Sequence, residues 1–334
     1  MTYNFKKILI TGGAGTIGIP LTNELIERGI NVVVFDLQEQ IERLDKFIHP
    51  KAKKFSGSIL DSAALRDAMT GCDGVVHLAA HLGVQRTERN RLRCLDINIT
   101  GTNKVLDSCI MSGGIEKIVY ASSSEVYGEP LKNPINEGAI TQGKTVYAIS
   151  KLAGEELVKA YSSEFSNLRY SILRYFNAYG PHQVSQFVIS KFIHQVSLNQ
   201  PPTIFGDGSQ RRSYNFSRDT ARGTADSLLS QKTDGRTINI GNSNEPITLI
   251  ELANKVIKLS GKEKSLKVNV RNSFENTDRD LKREIFQRYC DTSLAKELIN
   301  YQSTVSLDEG IREIIDLGEY QSTWASSEKE YLID

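Results

Sequence analysis

Residues 122–128 read SSSEVYG, which sets Glu125 among hydroxyl side chains just after the strand-like run KIVYA. A carboxylate in that place is either a solvated loop residue or a base that takes a proton from a substrate. Its neighbours bear on the choice. Tyr147 and Lys151 stand at i and i+4 in YAISK and so share one face of a helix. An ammonium beside a phenol favours the phenolate, and a tyrosine so activated takes a proton from an alcohol. As a bare spacing, YxxxK is common. Its weight comes from where the helix stands in the chain.

The order of elements supplies that frame. Residues 7–11 are a short apolar run, residues 17–28 carry apolar side chains at helical spacing closed by Gly29, and Val32–Phe35 form a second β-rich run. KKFSGSI, GVVHLAA, KIVYASS and YSILRYF then read as strands, separated by the helical stretches SAALRDAM, INITGTNKVLDSCIMSG and YAISKLAGEELVKAYSSEF. Strands separated by helices pair in parallel through right-handed crossovers. The N-terminal half is therefore predicted to be α/β, a doubly wound parallel sheet of Rossmann type. After about residue 176 the pattern loosens at Pro181, Pro201–Pro202 and the GDGSQ turn. RDTARGTADSLLS and RTINIG read as a helix and a strand returning to the sheet. TLIELANKVIKLSG and TSLAKELINY read as amphipathic helices beside the strand-like LKVNV. The expected organisation is a dinucleotide-binding domain from 1–176 plus about 213–241. A smaller, discontinuous α/β lobe for substrate follows from 177–212 plus about 242–320. The tail 321–334 is polar and acidic and holds the single tryptophan, Trp324.

Thr11 to Gly18, TGGAGTIG, joins the first strand to the first helix. In that context Gly12 permits a tight turn, Gly15 lets the backbone approach a pyrophosphate, and Gly18 lets helix and strand pack closely. The helix N-terminus offers N–H groups and the positive end of its dipole to phosphate. Asp36 ends the second strand, where a carboxylate accepts from a ribose diol and repels a 2′-phosphate. With no arginine close behind it in sequence, NAD is expected rather than NADP. Gly57–Asp61, with Ser58 and Ile59, ends the third strand where adenine should lie. Leu78, Ala79 and Ala80 end the fourth, where small side chains let backbone reach ribose. Behind such a fold, Tyr147 can take the alcohol proton while hydride passes to a nicotinamide.

Composition narrows the alternatives. Lys and Arg total 41 against 40 Asp and Glu, a net charge of +1, which argues against a broad nucleic-acid footprint. The basic run RTERNRLR (86–93) reads as a solvated helix face or a phosphate-lined pocket wall. Cys72, Cys94, Cys109 and Cys290 show no CxxC spacing and read as reduced, buried thiols. His77 and His81 are four apart, but in a strand running into a loop, so no metal is expected. No apolar run approaches the roughly 20 residues of a membrane span, and no signal peptide is visible. A cytoplasmic protein is expected, with no membrane partner.

Taken together, TGGAGTIG, HLAA, SSSEVYG, YAISK, RYFNAYGP (174–181) and GDGSQRRSY (206–214) make the chain resemble the extended short-chain dehydrogenase/reductases. Within them it is most similar, over nearly its full length, to the NAD-dependent nucleotide-sugar epimerase/dehydratase family. The resemblance implies NAD as cofactor, a nucleoside-diphosphate sugar as substrate, and a homodimer packed through the helices of Thr100–Met111 and Tyr147–Tyr161. It implies cofactor contacts at Gly12, Gly15, Thr16, Ile17, Gly18, Asp36, Ser58, Ile59, Leu78, Ala79, Ala80, Asn98, Tyr147, Lys151 and Tyr175. Ser58 stands where many relatives carry an aspartate, and the stretch between Pro181 and Phe187 is short. Asn177 and Arg212 match residues that hold the nucleotide or its phosphates, and an arginine between Arg279 and Arg288 adds a further contact, here assigned to Arg279.

By the same resemblance Ser123 holds the reacting sugar oxygen, while Ser124 and Glu125 occupy the places where members differ by reaction. Simple 4-epimerases carry small or neutral residues there. Thymidine-diphosphoglucose dehydratases carry Thr-Asp-Glu, and GDP-mannose dehydratases and UDP-glucuronate decarboxylases carry Thr-Ser-Glu. Ser123, Ser124, Glu125, Tyr147 and Lys151 are thus the expected catalytic set. Glu125 favours 4,6-dehydration over plain 4-epimerisation, with decarboxylation or stand-alone C4 dehydrogenation as the further alternatives. A catalytically silent NAD-binding scaffold is disfavoured because both Tyr147 and Lys151 are present.

Overall fold

The computed structural model describes residues 1–184, 186–271 and 285–318. The chain opens with β1 (Lys7–Thr11), α1 (Gly18–Glu27), β2 (Asn31–Asp36), α2 (Gln38–Leu44), β3 (Lys53–Ser56), α3 (Ser62–Met69) and β4 (Gly74–His77). It continues through α4 (Val84–Arg89), α5 (Arg91–Leu95), α6 (Gly101–Ser112), β5 (Lys117–Ser123), α7 (Val146–Glu164) and β6 (Arg169–Tyr175). Then come β7 (Ala178–Tyr179), α8 (Val188–Ser197), β8 (Thr203–Phe205), β9 (Arg211–Arg212), β10 (Asn215–Phe216), α9 (Ser217–Leu229) and β11 (Arg236–Ile240). The described chain ends with β12 (Ile247–Thr248), α10 (Leu249–Leu259), β13 (Asn269–Arg271), β14 (Gln287–Arg288), α11 (Ser293–Ile299) and α12 (Leu307–Leu317).

Seven strands form one sheet in the order β11-β6-β5-β4-β1-β2-β3, and every pairing in it is parallel. This is the doubly wound sheet that the alternating pattern predicts. Its strands read as continuous apolar runs because both faces are covered. Ile8, Ile10, Val32 and Val34 feed one core, while Leu9, Val33 and Phe35 feed the other. Alternation of side chains across the strand sorts them.

The smaller lobe has its own core, built from α8 (Phe192, Ile193, Val196), α10 (Leu252, Val256) and α12 (Ile311, Ile314). Helices α8 and α12 are additions to the sequence reading. Ser306 and Glu309 close a reciprocal capping box at the start of α12, a signal that stood in the sequence as SLDE. The helix expected over INITGTNKVLDSCIMSG opens instead with a π turn at Asp96–Thr100 before α6 begins. Among the described residues, no helix is long and apolar enough to cross a membrane. The tail 321–334 and Trp324 lie outside the described residues.

Candidate active site

One cavity of about 1280 Å³ runs along the C-terminal edge of the sheet, from the glycine turn after β1 to Arg288 in β14. This is the crevice where open α/β sheets take ligands. At its near end Gly12 has φ +70°, and a Cβ there would meet the Ala79 backbone nitrogen at 2.7 Å. A Cβ on Gly18 would meet the Gly13 carbonyl at 2.5 Å. The cradle therefore requires glycine at both positions. Asp36 fastens it: Oδ2 accepts from the Ala14 N–H at 3.0 Å and Oδ1 from the Leu37 N–H at 2.8 Å. Burial pushes the Asp36 carboxyl up to about 6, against those two N–H bonds and the charge of Arg43. That last partner corrects the sequence reading. Arg43 follows seven residues after Asp36, but α2 brings it into the same cavity wall.

Thr16, Ile17, Ser58, Ile59, Leu78, Ala79, Ala80 and Tyr175 also line the cavity. The Tyr175 hydroxyl is shared with Thr224 at 2.7 Å. Asn98 is placed differently from the expectation: it sits behind the wall. Its Oδ1 accepts from the His81 N–H at 2.7 Å, and its Nδ2 donates to the His81 carbonyl at 3.0 Å and to Ser150 Oγ at 2.9 Å. The π turn aims it there, so it braces the β4 loop against α7. His77 lies in the buried strand with its ring nitrogens on Thr11 and Thr102, and burial, then the charge of Lys151, lowers its pKa to about 3. From the basic run, Arg86 and Arg93 line the cavity, while Arg89 and Arg91 are exposed.

Halfway along, β5 ends at Ser123 and a tight turn spans Ser124–Tyr127. Ser123 Oγ accepts from the Glu125 N–H at 3.2 Å, and Ser123 and Tyr147 line the same cavity. Thr145 caps α7, its Oγ1 accepting from the Ala148 N–H at 3.1 Å, so the helix begins with Tyr147 facing the cavity. Glu125 is half-buried in the same wall, and its Oε2 accepts from Thr145 Oγ1 at 3.3 Å. Ser124 lines the cavity and is otherwise buried.

Lys151 is 3% exposed and donates to the Ala121 carbonyl at 2.8 Å. Its ammonium lies 5.8 Å from the centre of the Tyr147 ring. Burial lowers Lys151 to about 8. Burial first, and the Glu125 charge second, raise the Tyr147 phenol above its ordinary value. The middle of the cavity thus holds a hydroxyl, a phenol, an ammonium and a carboxylate along one wall.

At the far end Asn177, with φ +42°, donates through Nδ2 to the Ser213 carbonyl at 2.8 Å. Arg212 holds the chain of β14 through the carbonyls of Ile285 and Phe286 while also lining the cavity. Arg279 lies outside the described residues. The arginine that the structure brings in is Arg288, directly opposite Arg212 in the β9–β14 pairing. It is 8% exposed, and its Nε has no partner among the described residues. Two guanidinium groups side by side on paired strands repel one another unless an anion lies between them. The sequence reading bracketed Arg288 but assigned the contact to Arg279, since a two-residue strand carries no periodicity to mark it.

Comparison with known proteins extends this picture. The NAD dependent epimerase/dehydratase family profile matches residues 8–241. A UDP-N-acetyl-alpha-D-glucosaminuronate decarboxylase from Bacillus cytotoxicus is 31% identical, over 93% of this chain and 97% of the relative. A dTDP-D-glucose 4,6-dehydratase from Bos taurus is 29% identical, over 97% and 92%. Among solved structures, a UDP-glucuronic acid 4-epimerase from Bacillus cereus, in complex with UDP-glucuronic acid and NAD, superposes with a TM-score of 0.83. It is 30% identical, with 95% of this chain and 100% of that one covered. Glycine cradle, carboxylate, tyrosine–lysine pair and family match agree, and the chain belongs to the NAD-dependent epimerase/dehydratase family of nucleotide-sugar enzymes.

Proposed function

We propose that this chain oxidises the C4 hydroxyl of a nucleoside-diphosphate sugar to a ketone and then acts at C5 through Glu125, with 4,6-dehydration as the leading reading. NAD, which suits the glycine cradle and Asp36, supplies a reversible hydride acceptor when bound. Ser123 holds the C4 oxygen, Tyr147 takes its proton, and the Lys151 ammonium stabilises the phenolate that this needs. The ketone acidifies the C5 proton. Glu125 removes it and passes it to the C6 hydroxyl, which leaves as water; return of the hydride to C6 and of a proton to C5 then completes the dehydration. Arg212 and Arg288 hold the diphosphate, which fixes the sugar against Tyr147.

The observation that carries the reading is the position of Glu125, tied to Thr145 two residues before Tyr147 and lining the same cavity. Moving hydride off and onto C4 needs only Ser123, Tyr147 and Lys151, so a carboxylate beside them favours chemistry beyond C4. A second reading draws on the relatives whose names specify uronates, the Bacillus decarboxylase and 4-epimerase. With a C6 carboxylate the 4-ketone is a β-keto acid. Carbon dioxide then leaves and Glu125 returns a proton to C5. Incubation with a panel of UDP-, GDP-, CDP- and dTDP-sugars and uronates, followed by mass spectrometry, tests this. Loss of water supports dehydration and loss of carbon dioxide supports decarboxylation. A product of unchanged mass with a new NMR pattern makes the chain an epimerase and sinks the C5 role.

A further inference from the structure

The end of the cavity farthest from Arg288 carries both charges that decide between NAD and NADP. Arg43, half-buried on the last turn of α2, lines the wall together with Asp36 and Gln40. Its Nη2 donates to Gln40 Oε1 at 2.5 Å, Gln40 Nε2 donates to the Ala14 carbonyl at 3.1 Å, and the Ala14 N–H donates to Asp36 at 3.0 Å. Guanidinium and carboxylate are thus fixed to the same residue of the glycine turn, and the charge of Arg43 reaches Asp36. Glu39 shares this wall but is exposed, where solvent and salt screen its charge.

We infer that Arg43 is a specificity-determining residue for the adenosine ribose, placed where a 2′-phosphate would be received, so that rejection of NADP rests on the Asp36 carboxylate alone. In folds of this kind a carboxylate ending the second strand takes the ribose diol, whereas a nearby arginine takes the 2′-phosphate. A site with only the carboxylate rejects the phosphate and also has nothing to bind it with. This site has both, so the discrimination is a difference between one repulsion and one attraction. Arg43 suits a phosphate through bidentate, charge-assisted bonds, and its tie to Gln40 holds it at the ribose rather than out in solvent. Removing the repulsion therefore uncovers an attraction already built into the wall.

The test is equilibrium binding of NAD and NADP to the full chain and to Asp36→Asn, Arg43→Ala and the double variant. Asp36→Asn should shift the preference toward NADP by about tenfold or more, the scale of one charge-assisted contact. Adding Arg43→Ala should remove that gain. A double variant that keeps the gain overturns the inference. Asp36 also fastens the glycine turn, so a second measurement leaves it in place. Adenosine 2′,5′-bisphosphate and 5′-AMP compete against NAD on the natural chain and on Arg43→Ala. The variant should lose affinity for the bisphosphate and keep its affinity for 5′-AMP. Equal losses for both fragments, or no loss for either, overturn the inference as well.

Discussion

Thr145 Oγ1 donates to Glu125 Oε2 at 3.3 Å, so the residue that caps the helix of Tyr147 and Lys151 also holds the carboxylate that faces them. A cap alone needs only the acceptor function of Thr145 toward the Ala148 N–H. Its hydroxyl proton remains for Glu125, which lines the cavity with one oxygen so engaged. The carboxylate is therefore positioned by the same residue that starts the helix of the phenol.

Glu125→Gln keeps the size and removes the basicity. The expected result is that the variant still reduces its bound nicotinamide on adding substrate, seen by near-ultraviolet absorbance. It should fail to exchange the C5 hydrogen with D₂O and fail to release water. Normal product formation would return Glu125 to a structural role at the helix start.

Tyr147→Phe should leave NAD binding close to that of the natural chain and lower turnover by a factor on the order of 10² or more, the scale of a positioned proton-transfer group. The ring stays and the hydroxyl goes, so packing against the wall is preserved. Turnover within a few-fold of the natural chain, at the level of a lost packing contact rather than a lost proton transfer, would remove the assignment.

Lys151 sets the alkaline limit. Burial lowers it to about 8, so the ammonium is present below that pH and is lost as pH rises through it. Tyr147, whose phenol is raised by burial and by Glu125, then loses a neighbouring ammonium, and a cation beside a phenol favours the phenolate. Turnover is expected to fall above about pH 8. Lys151→Arg, which stays charged, should carry residual activity further into the alkaline range. A profile for this variant that falls at the same pH as the natural chain would assign the limb to another group.

How legible was this site? Ser123, Glu125, Tyr147 and Lys151 could be read because each sits at a boundary that sequence marks: a strand end, a cap and a helical i, i+4 step. Asp36 was legible for the same reason. Arg43 was not, because its approach to Asp36 depends on the turn and direction of α2, which spacing along the chain does not contain. Asn98 was read as a cofactor contact, yet a π turn rotates it behind the wall, and a single extra residue in a helix leaves no pattern. Arg288 is defined by pairing with Arg212 across a strand too short to show alternation. The doubly wound sheet was open to reading because its central strands, such as β1 and β2, are buried apolar runs. The short strands of the smaller lobe have no such signature.

The facing pair Arg212 and Arg288 gives a prediction on binding rather than chemistry. Arg288→Met keeps an unbranched apolar stem in the wall and removes the charge. The KM for a nucleoside-diphosphate sugar should rise by about tenfold or more, as for loss of a charge-assisted contact, while a sugar 1-phosphate loses less. If both substrates lose equally, the arginine does not read the diphosphate.

The last prediction concerns assembly. Helices α6 and α7 lie side by side, joined by the Tyr161 hydroxyl, which donates to Asp107 at 2.5 Å and to Asn103 at 3.1 Å. On their outer faces Met111 is 67% exposed and Ile149 is 53% exposed. Large apolar side chains on neighbouring helices are what a partner subunit covers, and a two-fold contact would set each pair against its own copy. A homodimer through this face is expected at micromolar concentration by sedimentation. Ile149→Asp should convert it to a monomer, since a dimer through this face would bury an unpaired carboxylate from each subunit. Ile149 shares its helix with Tyr147 and Lys151 but is exposed rather than cavity-lining, so NAD binding should persist in the monomer. A natural chain that sediments as a monomer, or a variant that remains dimeric, rules this face out.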